Sequence, residues 1–244
     1  MVAAQVRLIT HLGIQRLYAV AGGSMGGFQA IEWMITHPER VLSAILLATS
    51  AISSPQAVAW NAIGRQAILR DPKWLNGYYA PDDAPVDGLS VARMIGHITY
   101  VSDASLKQKF PQRFASATTP AYTLADEFTV ESYLNYQAQR FIERFDANSY
   151  LYITKAMDYW DVTREYGALD AAFQKWRKPT LLVSFDSDWL YPTTDALQIV
   201  HAIGDTATHV ELHSTAGHDA FLIESGMQTP LIQQFLAQVE SVIV

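Results

Sequence analysis

The sequence predicts an α/β fold in which a mostly parallel sheet is interrupted by a helical insertion. Three observations predict it. Short apolar runs alternate with stretches of helical spacing at both ends of the chain, the links between them are short, and the long middle has helical spacing without strand alternation. With 244 residues, 50% of them hydrophobic and 17% charged, the chain can bury a substantial core in one domain carrying an inserted subdomain.

Residues 2–12 have helical spacing, and Gly13 suits the C-cap. Leu17-Tyr18-Ala19-Val20-Ala21 reads as a buried strand running into Gly22-Gly23-Ser24-Met25-Gly26-Gly27. A second helix follows, carrying Phe28, Ile31, Trp33, Met34 and Ile35 to about His37, where Pro38 stops it. Residues 41–49 read as another buried strand. From residue 50 to 178 the pattern is helical, broken by Pro/Gly/Asp-rich loops over 76–88 and 115–127, and is read as a lid inserted into the sheet domain. The α/β pattern resumes with a strand at 180–185, a helix at 193–203, a strand at 209–213 and a final helix from Asp219 onward. The sheet core is thus assigned to residues 1–49 and 179–244, and the lid to 50–178.

Composition excludes several classes of function. The net charge is −7 and no polybasic block occurs, which argues against nucleic-acid binding; an anionic substrate would need a local positive site. There are no cysteines, so disulfides, zinc–thiolate sites and a thiol nucleophile are excluded, and covalent catalysis must use oxygen or nitrogen. No apolar run approaches the roughly 20 residues that span a bilayer, and no signal peptide is visible, so a cytoplasmic protein without membrane attachment is expected.

Gly22-Gly23-Ser24-Met25-Gly26 satisfies Gly-x-Ser-x-Gly between a predicted strand and a predicted helix. A sharp strand-to-helix turn there would present the Ser24 hydroxyl as a nucleophile and aim the Met25 N–H at an oxyanion. The alternative is an ordinary glycine-rich turn that cradles a phosphate. A serine nucleophile needs an acid and a histidine, and both follow in that order. Asp188, four residues before Pro192 and just past the strand at 180–185, is the favoured acid; Asp186 competes. His218, in the loop leading into the final helix, is the base. The other histidines lie near helix ends or within regular elements. His209 and His213 share a strand face, but no thiol or carboxylate cluster supports a metal there. Arg93, His97 and Tyr100 recur at i, i+4 and i+7 on one predicted helix face, where by spacing alone a helical arginine is usually a solvated surface residue. Asp219 also suits a helix N-cap.

The run Leu12 to Thr49, the lid segments Gly88 to Tyr100 and Arg144 to Leu151, and the stretches Phe185 to Leu190 and Gly217 to Leu222 together resemble homoserine O-acetyltransferases of the α/β-hydrolase type. That resemblance implies an α/β-hydrolase fold and a ping-pong transfer. Ser24 would take an acetyl group from acetyl-CoA and pass it to the hydroxyl of L-homoserine, an intermediate step in methionine biosynthesis, with no bound cofactor. It further implies that Arg93 binds the acceptor carboxylate, Tyr100 lines that pocket, Asp219 receives the acceptor ammonium, and two chains pair through the lid. Family members carry over a hundred further residues before the region matched here, forming the first strands and an oxyanion loop. The chain is therefore expected to be partial, with its strand at 17–21 left as an open edge. Three alternatives stand beside this reading: a succinyl donor or serine acceptor, an esterase that releases its acyl group to water, and a catalytically silent module.

Overall fold

The computed structural model describes residues 1–114, 120, 122–124 and 128–243. Residues 115–119, 121 and 125–127 of the loop expected over 115–127 therefore lie outside the described residues. The chain divides into two compact units, Met1–Ser53 with Trp160–Val244, and Ser54–Tyr159.

The first unit begins with α1 (Val2–His11), β1 (Val20–Gly23), α2 (Met25–Thr36) and β2 (Ala44–Leu47). After the second unit it resumes with α8 (Thr163–Tyr166), α9 (Leu169–Ala172), β3 (Thr180–Phe185), α10 (Thr193–Ile203), β4 (Ala207–Leu212), α11 (Ala220–Ile223) and α12 (Ser225–Ile243). The second unit is helical, with α3 (Pro55–Leu69), α4 (Val86–Tyr100), α5 (Asp103–Lys109), α6 (Thr129–Ile142) and α7 (Ala147–Asp158). No described helix is long and apolar enough to cross a membrane.

The four strands are parallel and ordered β1-β2-β3-β4. β2 and β3 are central and almost wholly buried, as their unbroken Ala44-Ile45-Leu46-Leu47 and Thr180-Leu181-Leu182-Val183-Ser184-Phe185 runs require of strands covered on both faces. Alternate residues point to opposite layers. Leu46 and Leu182 pack with Ile31, Met34, Phe173, Trp176 and Ile199, whereas Ile45, Leu181, Val183 and Phe185 pack with Ala220, Phe235 and Val239. Each Val, Leu, Ile, Phe or Met side chain among them contributes about 1.5–3 kcal/mol on removal from water. α1 ends as expected: Gly13 takes φ +74, its N–H donates to the Thr10 carbonyl, and the Ile14 N–H donates to that of Ile9, closing a Schellman motif.

Several boundaries move. The strand expected at 17–21 is β1, which begins three residues later and ends two later: Leu17 makes only an isolated bridge to Val41, while Gly22 and Gly23 pair with Leu46 and Leu47. β1 lies at an edge, paired only with β2 among the described residues. Residues 41–49 shorten to Ala44–Leu47, because Ala48 turns to φ +45. The final helix is not continuous; a 3₁₀ turn at Gly217–Asp219, α11 and α12 are separated by a break at Glu224. The insertion is shorter than 50–178. Trp160 stacks on Phe28 with ring centroids 4.9 Å apart and donates its indole N–H to the Ser50 carbonyl at 2.9 Å. Phe173 and Trp176 are fully buried in the layer beside α2, so residues 160–178 belong to the sheet unit.

Inside the helical unit, Asp71 accepts from the Lys73 and Gly88 N–H groups at 2.9 and 2.8 Å, tying the end of α3 to the start of α4. Asp158 on α7 accepts from Asn61 at 2.9 Å and pairs with Arg65, both on α3. Ile68, Leu89, Ala92, Phe141 and Ala147 form its core.

Candidate active site

Ser24 stands between β1 and α2 with φ +53 and ψ −124, a conformation that costs about 1–3 kcal/mol in a non-glycine residue. The surrounding backbone holds it there. Its N–H donates to the Leu47 and Ala48 carbonyls at 3.0 and 3.2 Å, and its carbonyl accepts from the Gly27 N–H at 2.9 Å and the Thr49 hydroxyl at 2.8 Å. The positive φ of Ala48 and the buried Thr49 therefore brace the elbow, a role that nothing in their sequence context signals.

The glycines differ in what they do. A Cβ on Gly22 would lie 2.1 Å from the Gly26 carbonyl oxygen, a backbone atom that cannot swing aside, and one on Gly27 would lie 2.3 Å from the Thr49 hydroxyl oxygen. Gly26, the last residue of the motif, has nothing within 4 Å. Gly22→Ala is thus expected to distort the elbow and lower the melting temperature by several degrees. Gly26→Ala should leave the melting temperature unchanged or raise it, since alanine gains about 0.5–1 kcal/mol over glycine inside a helix. Thermal melts of the two variants check this; equal losses would contradict the contact geometry.

A continuous hydrogen-bonded chain leads away from the serine. His218 Nε2 lies 2.9 Å from Ser24 Oγ, and His218 Nδ1 lies 2.8 Å from Asp188 Oδ2. The other carboxylate oxygen of Asp188 accepts the Leu190 and Tyr191 N–H groups at 3.0 and 2.9 Å. Asp188 and His218 are each 3% exposed, so this pair is shielded from competing water. The His218 ring is also held between aromatic neighbours, with the Tyr191 and Phe221 centroids 5.0 and 5.2 Å away. Met25 is the first residue of α2, so its N–H is one of the four amides without an intrahelical acceptor, at the positive end of the helix. Chemically, the arrangement can deprotonate the serine hydroxyl, hold the imidazole in one tautomer, and offer an amide to a developing oxyanion.

Asp186, the competing acid, is placed elsewhere. It accepts the Ser214 N–H at 3.0 Å and pairs with His213, while the neighbouring Ser187 hydroxyl accepts the Gly217 N–H at 2.9 Å. These bonds join the loop carrying Asp188 to the loop carrying His218. His209 is also accounted for: its Nε2 lies 2.8 Å from the Ser184 hydroxyl. Among the described residues no cluster of potential metal ligands occurs.

Asp219 follows His218 in the sheet unit, half-buried, and its side chain makes no capping hydrogen bond to α11. Arg93 and Tyr100 are on α4 of the helical unit and line a cavity of about 220 Å³ together with Phe141, Phe145, Tyr150 and Met157. The Arg93 guanidinium carbon sits 5.0 Å from the Phe141 ring centroid and 5.7 Å from that of Tyr100. His97, expected on the same face, does not line this cavity. It is buried against Tyr133, to whose hydroxyl it hydrogen-bonds, and burial together with the Arg93 and Lys109 charges pushes its pKa down to about 4.

Asp195, in the first turn of α10, is the carboxyl most clearly perturbed in the sheet unit. Burial, reinforced by the Asp188 charge, pushes it up to about 6 from 3.8. Between those values the folded chain holds a proton that the unfolded chain has released. The stability from this group is therefore present below about 3.8 and is lost as the pH rises through about 6. Asp195→Asn is expected to melt above the parent at pH 7 and level with it near pH 4; a difference independent of pH would contradict this.

A profile of the alpha/beta hydrolase fold family matches residues 1–225 of the chain. Over 241 residues the chain is 48% identical to a homoserine O-acetyltransferase of Methanococcus vannielii, covering 98% of this chain and 49% of that protein. It is 49% identical over 230 residues to a homoserine O-acetyltransferase of Zymomonas mobilis, covering 92% and 62%. The chain thus spans between 49% and 62% of the length of these two curated relatives. Among solved structures it is similar to homoserine O-acetyltransferase from Bacillus anthracis, with a TM-score of 0.90 and 26% identity over 96% of this chain and 64% of that one. It is also similar to an acetylester hydrolase from Corynebacterium glutamicum, with a TM-score of 0.81 and 25% identity over 98% and 65%.

Proposed function

Because the chain belongs to the alpha/beta hydrolase fold family, we propose that Ser24, His218 and Asp188 are its catalytic triad and that its reaction is homoserine O-acetyl transfer. The observation that carries the choice of reaction is the 48% identity, over nearly the whole chain, to a relative named for that activity.

In this reading His218 Nε2 takes the proton of Ser24 as Oγ attacks the thioester carbonyl of acetyl-CoA. The resulting oxyanion accepts a hydrogen bond from the Met25 N–H. As the carbon–sulfur bond breaks, His218 returns the proton to the departing thiolate, leaving CoA and an acetyl ester on Ser24. The homoserine hydroxyl then gives its proton to His218 and attacks the ester. Collapse of the second tetrahedral intermediate restores Ser24, which recovers the proton, and releases O-acetyl-L-homoserine. Asp188 stays ionised throughout and stabilises the imidazolium. Arg93 would hold the acceptor carboxylate, Tyr100 would line its pocket and Asp219 would receive its ammonium. A guanidinium suits a carboxylate bidentately, and a bound acceptor hydroxyl at high effective concentration is what lets transfer outrun hydrolysis. The chain would act in the cytoplasm as a homodimer paired through its helical unit, which light scattering of the purified chain tests.

The deciding experiment supplies the chain with acetyl-CoA, with and without L-homoserine, and follows free thiol and product mass. Thiol release that accelerates with homoserine, together with O-acetylhomoserine, supports the proposal. Release at one rate regardless of acceptor would make the chain a hydrolase. A preference for succinyl-CoA would change the donor, and no acyl-Ser24 from either donor would overturn the proposal for this chain.

A further inference from the structure

The helical unit treats its arginines differently. Arg65 is paired with Asp158, and Arg140 with Glu143. The Arg93 side chain makes no hydrogen bond or ion pair with any described residue, and its Nε is buried without a partner. What meets its charge is ring surface. The guanidinium carbon lies 5.0 Å from the Phe141 centroid and 5.7 Å from that of Tyr100. Phe141 is itself fixed: Phe145 stacks on it at 4.6 Å with an interplanar angle of 18°, and Tyr150 meets it edge-on at 6.5 Å. Tyr150 is wedged beside Gly64, where a Cβ would come within 2.7 Å of its hydroxyl.

We infer that Phe141 is a positioning residue for Arg93, holding the guanidinium plane by a cation–π contact so that its charge stays unneutralised and available to a carboxylate. The argument is one of competing partners. A carboxylate in place of Phe141 would fix the guanidinium equally well but would occupy the donors that a substrate needs. An aromatic face attracts the cation through its quadrupole and uses none of the five N–H donors. A desolvated contact of this kind is also stronger than an exposed one, and Phe141 is 8% exposed. The cavity of about 220 Å³ beside it falls below the roughly 300–1,000 Å³ of pockets for drug-sized ligands, so it suits the carboxylate end of a small acceptor. The assignment of that acceptor rests on the function proposed above; the contact between Phe141 and Arg93 does not.

The test uses the full chain and two readouts. The Arg93 Nε–H resonance, identified by its loss in Arg93→Ala, should be shifted upfield by the ring current and protected from exchange. Phe141→Leu should abolish that shift and weaken L-homoserine binding about tenfold by calorimetry. Phe141→Tyr, which keeps the ring, should preserve both, with circular dichroism confirming that each variant is folded. An Arg93 resonance unmoved in Phe141→Leu overturns the inference whatever the ligand. A moved resonance with unchanged homoserine affinity also overturns it, provided Arg93→Ala loses binding, and in that case the acceptor assignment survives. If Arg93→Ala binds homoserine as the parent does, the acceptor assignment itself fails, and the positioning role in binding falls with it.

Discussion

Ser24→Ala is expected to abolish acyl-enzyme formation and to lower turnover by about 10⁶-fold, the scale seen when a triad nucleophile is removed from a serine hydrolase. In the proposed mechanism the substitution deletes the atom that carries the acyl group between the two half-reactions, so no rearrangement of the remaining pair compensates. It should do so without unfolding the elbow. Alanine at φ +53 is as strained as serine, and the contacts that fix residue 24 use its backbone N–H and carbonyl, not its hydroxyl. Ser24→Gly sharpens the point. Glycine adopts positive φ without the Cβ penalty, so this variant should melt above the parent while remaining as inactive as Ser24→Ala. Intact-mass detection of an acetylated chain, with a thermal melt of each variant, checks both statements. A parent-like acetyl adduct on Ser24→Ala would remove the serine from the mechanism.

Much of this site was legible because its sequence signals are local. Gly22 to Gly26 between an apolar run and an amphipathic helix leaves few alternatives to a sharp turn, and Asp188 and His218 each stand at the carboxyl end of a recognisable strand. The strand edges were less legible: pairing of β1 depends on which backbone groups find partners on β2, and Gly22 and Gly23 extend the ladder despite reading as turn residues. The insertion boundary failed for a similar reason. Residues 160–178 have the helical texture of the preceding segment, and only the stacking of Trp160 on Phe28 and the burial of Trp176 assign them to the sheet unit. The supporting roles of Thr49, Tyr191 and Phe141 are not legible in the sequence, because a side chain that supports another across 25 or more residues leaves no local pattern. Asp188, favoured over Asp186 by its place four residues before Pro192, is the one that meets the His218 imidazole, whereas Asp186 meets that of His213.

That separation yields the second large effect. Asp188→Asn is expected to cost about 10⁴-fold in the rate of Ser24 acylation while leaving the melting temperature within a few degrees of the parent. Asp188 Oδ1 accepts two backbone N–H groups, from Leu190 and Tyr191, and Oδ2 faces His218 Nδ1. An asparagine is nearly the same size, but its oxygen must stay on the Oδ1 side to satisfy those two buried donors. Its amide nitrogen is then left facing His218 Nδ1 as a donor. The imidazole is driven to carry its proton on Nε2, where it points at Ser24 and cannot accept the hydroxyl proton. The loss is therefore one of tautomer rather than of structure, and nitrogen NMR of His218 should find Nδ1 unprotonated in the variant and protonated in the parent. Asp186→Asn provides the contrast. It can keep the Ser214 N–H bond through its own oxygen, and it touches the imidazole only through the loops it joins, so acylation should fall by about tenfold or less. If the two asparagine variants lost activity equally, or if Asp186→Asn lost more, the acid would have to be reassigned.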